Sequence, residues 1–214
     1  MADRIIKVLT PAESYDLLSI DELKLAMDID PTDTTQDELL QQYISRYSDV
    51  IATTCNRVFA YEEVAEIWRT TNVDQAAGMK RLYVSHYPID PAATLTLETP
   101  TGYPIDPSIY AVEEKSGKVE LLRTWAEPIT VTYSGGYKLP EEAPPALKQA
   151  AELMIREGQA LAQRMLNSGV RSISHRESRV MFFDPLTLLT KTQGFGFATT
   201  AANALLMHYV RLEV

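Results

Sequence analysis

The sequence predicts an α+β fold, and three observations carry that prediction. Apolar residues recur at three- and four-residue steps near both ends of the chain. They alternate with polar residues through the centre. The two regimes then meet abruptly in "ITVTYSGGYKLPEEAPPALKQAAELM", residues 129 to 154. Helices flanking a strand-rich middle is the order that follows.

Taken in order, the first element is a short helix beginning at "SIDEL". Ser19 is placed to cap it, Glu22 stands three residues on as in a capping box, and Asp21 sits favourably against the positive helix end. Leu23, Ala26 and Met27 give it one apolar stripe, and Pro31 in "DIDPTD" stops it by disfavouring helical geometry in the residue before. A second capping box is expected at Thr35 to Glu38. After it, Leu40, Tyr43, Ile44, Tyr47, Ile51 and Cys55 form the apolar stripe of an amphipathic helix of about five turns.

From Arg57 the period falls to two. "EEVAEIW" sets Val64 apart from its acidic neighbours, "RLYVSHYPI" puts Leu82, Val84 and His86 on one face, and "TLTLET" alternates Thr with Leu95 and Leu97. "IYAVEEKSGKVELL" reads as a hairpin turning at Lys115 to Lys118, and Ile129 to Tyr133 as the last strand. The glycines after it permit backbone angles that other residues avoid, and Pro144 and Pro145 suit a helix start, where a missing N–H costs little. The helix they launch carries Leu147, Ala150, Ala151, Met154 and Ile155 on one face. Past "NSGV" the pattern changes again. Three arginines fall within nine residues, Phe182 and Phe183 adjoin, and "ANALLMHYVR" forms a last short helix bearing Leu205, Leu206, Tyr209 and Val210. So apolar a tail is expected to pack on its own core or on a partner.

Composition narrows the function. At 214 residues, 45% of them hydrophobic, the chain buries a proper core as one domain or one and a half. The 29 acidic residues outnumber the 20 basic ones, for a net charge of -9, which argues against a surface that grips nucleic-acid phosphates. The single cysteine, Cys55, excludes an internal disulfide and a cysteine-based zinc site and fits a reducing compartment. No run of about 18 apolar residues exists, and "MADRIIKVLTP" is too short and polar for a signal peptide. A soluble protein with no membrane contact is the expectation.

Motifs of catalysis are weak. His86, His175 and His208 lack metal-binding spacing, so no metal site is assigned, and Cys55 lies on an apolar helix stripe. "SGGY" lacks the spacing of a phosphate loop, and "GFGF" lacks the third glycine of a dinucleotide site, so no cofactor is expected. Glu62-Glu63, Glu113-Glu114 and Glu141-Glu142 are adjacent carboxylates, read as solvated surface. No catalytic residue is assigned.

The order of elements resembles the head-tail connector (adaptor, head completion) family of tailed bacteriophages. "IIKVLTPAESYDLLSIDELKLAMDID" is similar to the family's N-terminal proline segment and its hydroxyl-x-acid-acid-V/L-K first helix. "QYISRYSDVIATTCNRVF" is similar to its second helix, and "ITVTYSGGYKLPEEAPPALKQAAELM" to its V-x-V-x-Y-x-x-G-Y…P-x-x-L/I-K/R-x-A pattern. The likeness covers roughly residues 5 to 160, with a looser one in the tail.

That resemblance implies a small helical bundle body over residues 1–170, with an antiparallel β-rich insertion at about 57–137 and an extended C-terminal arm over 171–214. It implies a structural virion protein of the phage neck, made in the host cytoplasm and assembled as a homo-oligomeric ring of twelve copies beneath the portal protein. Such a ring extends the DNA channel, lets DNA pass without sequence-specific binding, and gives a stopper or tail-completion protein its platform. In relatives the arm reaches the portal. Arg171, Arg176, Arg179, Phe182 and Phe183 are the expected anchors here, since arginine and aromatic side chains dominate interfaces, and Tyr209 and Arg211 match an end-of-chain Tyr-Arg. Two alternatives stand beside this reading. One is a DNA-binding regulator built on the N-terminal helix pair, with only Arg46 and Arg57 near its would-be recognition helix. The other is a small hydrolase built around His86 and nearby acids.

Overall fold

The computed structural model describes residues 4–69, 72–74, 79–121, 127–166, 172–175, 178–181 and 200–211. The fold is α+β, and the chain divides into two units. A β unit comprises Met1–Asp16, Asn56–Ala143 and Val210–Val214, and a helical unit comprises Leu17–Cys55 and Pro144–Tyr209.

With strands numbered in chain order, the β unit holds two four-stranded antiparallel sheets. The first runs in the order β1 (Arg4–Thr10), β2 (Glu62–Trp68), β8 (Ile129–Gly135), β5 (Thr96–Glu98). The second runs β3 (Asn72–Asp74), β4 (Met79–Tyr83), β7 (Lys118–Leu121), β6 (Tyr110–Glu113). Burial alternates strictly along β8 and closely along β2 in the first sheet, and along β7 in the second, so each sheet has one inner face. Val64, Trp68, Leu97, Ile129, Val131 and Tyr133 of the first sheet share one apolar cluster with Leu82, Val119 and Leu121 of the second. Sheet packs on sheet. The expected hairpin is present as β6 and β7, with Glu113 opposite Lys118.

β1 was not among the expected strands. Its sequence, RIIKVLT, carries apolar doublets instead of an alternation, and the structure gives the reason: nearly the whole strand is exposed, so neither face is selected for the core.

Beyond β8 the chain passes through a crossing too tight for side chains. A β-carbon on Gly136, which has φ +108°, would lie 2.2 Å from the Ala60 carbonyl oxygen, and one on Gly135 would lie 2.4 Å from that of His86. The Gly136 N–H donates to Pro88 O (2.9 Å) and the Tyr137 N–H to Phe59 O (2.8 Å). The expected backbone freedom is therefore used at Gly136, and close approach adds a second reason for the pair.

The helical unit contains α1 (Ile20–Ala26), α2 (Asp37–Thr54), α3 (Pro145–Leu166) and α4 (Thr200–Leu206), with a hairpin of β9 (Ser172–His175) and β10 (Ser178–Met181). The Ser19–Glu22 capping box forms in both directions. The second box does not. Gln36 occupies the cap of α2 without a side-chain bond, because the Thr35 hydroxyl donates instead to Asp33 Oδ1 at 2.6 Å. Leu40, Ile44, Ile51 and Cys55 are buried along α2, as are Leu147, Ala150, Ala151, Met154 and Ile155 along α3. α2 packs on α1 and α3, and α4 packs on α3, burying Ala202 and Leu206. The end of the apolar tail thus belongs to the chain's own core.

Charge pairs brace these helices. The Lys24 ammonium is buried, 2.6 Å from Asp37 Oδ1 in the first turn of α2, and it also donates to Pro31 O. Lys148 of α3 meets Glu22 Oε1 at 2.5 Å. Burial opposes ionisation of Glu22, but the hydrogen bonds from Lys148 and the Ser19 N–H outweigh it and hold the carboxyl below its ordinary value.

Candidate functional site

The seven expected interface residues are not gathered at one described site. Arg171, Arg176, Phe182 and Phe183 lie outside the described residues, and Arg179 sits in β10. Tyr209 and Arg211 fall in different units. Tyr209 follows α4 and lines an apolar groove of about 480 Å³ together with Ala146, Leu153, Ala201 and Leu205. The Arg211 guanidinium donates to Tyr83 O, which also accepts from Arg4 at 3.4 Å. Burial and the neighbouring Arg4 lower the Arg211 pKa, while the Glu66 charge opposes them.

The densest polar chemistry lies inside the β unit. Glu62 and Glu66 alternate with Val64 and Trp68 on the inner face of β2, and all four are buried. Glu62 is therefore not the solvated residue expected from the sequence; only its neighbour Glu63 faces out. The signal was available: at a period of two, a buried Val64 takes Glu62 and Glu66 inward with it.

These carboxylates anchor a continuous network. Glu62 accepts from the Tyr15 hydroxyl (2.5 Å) through Oε1 and faces His86 Nε2 (2.9 Å) through Oε2. His86 Nδ1 lies 2.8 Å from Ser85 Oγ. Glu66 Oε1 accepts from the Ser85 N–H (2.7 Å), from Tyr133 OH (2.5 Å) and from Ser85 Oγ. Tyr133 OH in turn accepts from the His86 N–H at 2.9 Å. Burial pushes the His86 pKa down against the hydrogen bond and charge of Glu62. In a neutral ring Nε2–H donates to Glu62, and Nδ1 competes with Glu66 Oε1 for the single Ser85 hydroxyl proton, an assignment made from the network itself. Burial, then the adjacent Glu66 charge, push the Tyr133 hydroxyl well above its ordinary value, so it stays a donor.

Ser85, His86 and Glu62 thus stand in the sequence of contacts used for nucleophilic hydrolysis, which is the arrangement the hydrolase alternative required. Access and proton supply argue against that use. Ser85 is 6% exposed and His86 1%, and the single Ser85 proton is shared between Nδ1 and a carboxylate. An attacking hydroxyl needs room for a carbonyl beside it, and this one is walled in by Tyr133 and the core. The network ties β2 and β8 to the segment after β4.

Arg57, one of the two cations considered for DNA contact, is also committed inward. Its guanidinium lies 3.4 Å from the centroid of the Tyr87 ring, 4.9 Å from that of Phe59 and 5.9 Å from that of Tyr137, and it donates to Tyr87 O. A cation so enclosed does not reach a phosphate. Among the described residues, no three metal-ligating side chains gather at one place, and no helix is long and apolar enough to cross a membrane.

No protein-family model matches the chain. No curated protein matches it either. Solved structures do. A chain from the neck of an empty gene transfer agent particle, computed with C6 symmetry, superposes with a TM-score of 0.53 at 13% identity, over 98% of this chain and 97% of that one. The fold is that of a gene transfer agent neck chain. A chain of the native gene transfer agent virion gives a TM-score of 0.52 at 14% identity, and one from the native neck computed with C12 symmetry gives 0.50 at 14% identity. Each also covers 98% of this chain and 97% of its own. The likeness to the neck chains therefore spans both the β unit and the helical unit.

Proposed function

We propose that this chain is a structural subunit of a phage-like neck, assembled as a ring beneath the portal, where it extends the DNA channel and joins the head to a stopper or tail. The observation that carries this reading is the end-to-end likeness to chains from gene transfer agent necks, two of them computed with C6 and C12 symmetry. Three features of the chain agree with it. Among the described residues, the one arrangement that resembles catalytic machinery is sealed in a core. Arg57 is caged by aromatic rings and unavailable to DNA. A net charge of -9 suits a wall past which a phosphate backbone slides without being held.

In this reading Arg171, Arg176, Arg179, Phe182 and Phe183 of the arm face the portal, with Tyr209 beside them, and Arg211 holds the chain end in the β unit. The purified chain is a monomer or loose oligomer and closes into a ring on the portal template.

Cryo-electron microscopy of purified particles is the direct test. The expected result is this chain in a ring between portal and tail, and its absence from particles would end the proposal. For the arm, Phe182→Ala with Phe183→Ala is expected to weaken co-sedimentation with portal at least tenfold while leaving the melting temperature unchanged. Portal binding that survives, together with a lowered melting temperature, would instead place the pair in the chain's own core.

A further inference from the structure

The first sheet ends in two unlike edges. At the β5 edge the chain closes on itself: Glu98 bridges to Pro104, the Ile105 N–H donates to Leu97 O (2.7 Å), and the Thr99 N–H donates to Tyr103 O (2.9 Å). Pro104, having no N–H, blunts that edge further. β1, at the other end, pairs with β2 alone among the described strands. Ile5, Ile6, Val8 and Leu9 on it are each 40–45% exposed, so four of the exposed large apolar side chains fall within one seven-residue strand. A long, apolar strand with an open backbone ladder is what isolated proteins avoid and assembling ones use.

Two copies of β1 make poor partners for each other. Antiparallel pairing centred on the strand sets Lys7 opposite Lys7, and like charges directly opposed destabilise a sheet. The far edge of the same sheet is complementary instead. Tyr103 is 71% exposed at the tip of its hairpin, with Glu98 and Asp106 to either side. Hydrogen bonds from Ser108 hold the Asp106 carboxyl below its ordinary range, so it is charged at neutral pH. A basic, aliphatic edge and an acidic, aromatic edge thus lie at opposite ends of one sheet.

Resting on the neck reading, we infer that β1 of one copy docks through its exposed side chains, with no shared backbone ladder, on the hairpin Thr96 to Asp106 of the next, a head-to-tail contact between two different surfaces. Such a contact propagates around a ring, whereas a self-complementary one stops at a dimer.

Lys7→Cys and Tyr103→Cys test it, because both positions are exposed and the native Cys55 is buried. Treated with a flexible bismaleimide at a protein concentration high enough to populate the loose oligomer, a mixture of the two purified variants is expected to give a covalent dimer, each alone to give none, and the double variant to give a ladder of dimers, trimers and larger species. Adding Ile6→Asp, at a position 40% exposed, should cut the yield about tenfold without changing the melting temperature. Cross-linking by Lys7→Cys alone would overturn the inference in favour of self-pairing, and no cross-linking in any combination would overturn it outright. The readout uses the free chain, so it fails separately from the neck reading, which falls only if particles lack the protein.

Discussion

Tyr133 shows how much one side chain holds together inside the β unit. Its hydroxyl donates to Glu66 and accepts from the His86 N–H, so Tyr133→Phe leaves a buried N–H and a buried carboxylate each short of a partner. A loss of about 1–3 kcal/mol is expected from chemical denaturation. His86 supplies a pH test. Its folded pKa lies below the ordinary value of 6.5, so between the two the unfolded chain binds more protons and stability falls as the solution is acidified through that window. The urea midpoint is expected to drop between about pH 7 and about pH 5.5, and His86→Gln should flatten that slope. A wild-type midpoint that rises on acidification would mean that the ring is stabilised in its charged form. These residues were only half legible beforehand. Leu82, Val84 and His86 share one face by their spacing and are buried together, whereas the pairing of Glu66 with Tyr133 joins strands 67 residues apart in sequence and leaves no local pattern.

Elements were legible where period and capping agree, and illegible where tertiary context chooses between equal local options. The apolar face of α3 is the one its sequence predicts, since five residues at helical spacing leave a single solution. The two capping boxes read alike, yet only Ser19 caps; Asp33 takes the Thr35 hydroxyl. Ser19→Ala is therefore expected to cost about 1 kcal/mol and to lower the melting temperature, while Thr35→Ala should cost the helix nothing comparable. Equal losses from the two would refute the assignment of caps. The first strand was hidden for a related reason, because a strand exposed on both sides imposes no alternation. Its apolar doublets fit the docking proposed for that edge and not a core face. The tail proposed to meet the portal offered apolar pattern without contacts: α4 folds back on α3, and Arg211 ends against Tyr83.

For the molecule as a whole, charge makes the sharpest prediction. With an excess of nine acidic groups and Arg57 enclosed, the purified chain is expected to cause no mobility shift of duplex DNA at about 150 mM salt. A shift that weakened with added salt would revive the regulator alternative. The crossing after β8 bears on the whole family of shapes that share this architecture. Gly136→Ala drives a methyl into the Ala60 carbonyl and is expected to cost about 3 kcal/mol or more, read as a fall in melting temperature. Because the added methyl would meet backbone and not a side chain, no rotamer change relieves it. A chain of the same fold at 13–14% identity to this one must then keep two bare α-carbons at this spot or reroute the chain. A search anchored on that doublet, and blind to everything around it, is the means by which chains of this fold too divergent for ordinary alignment come within reach.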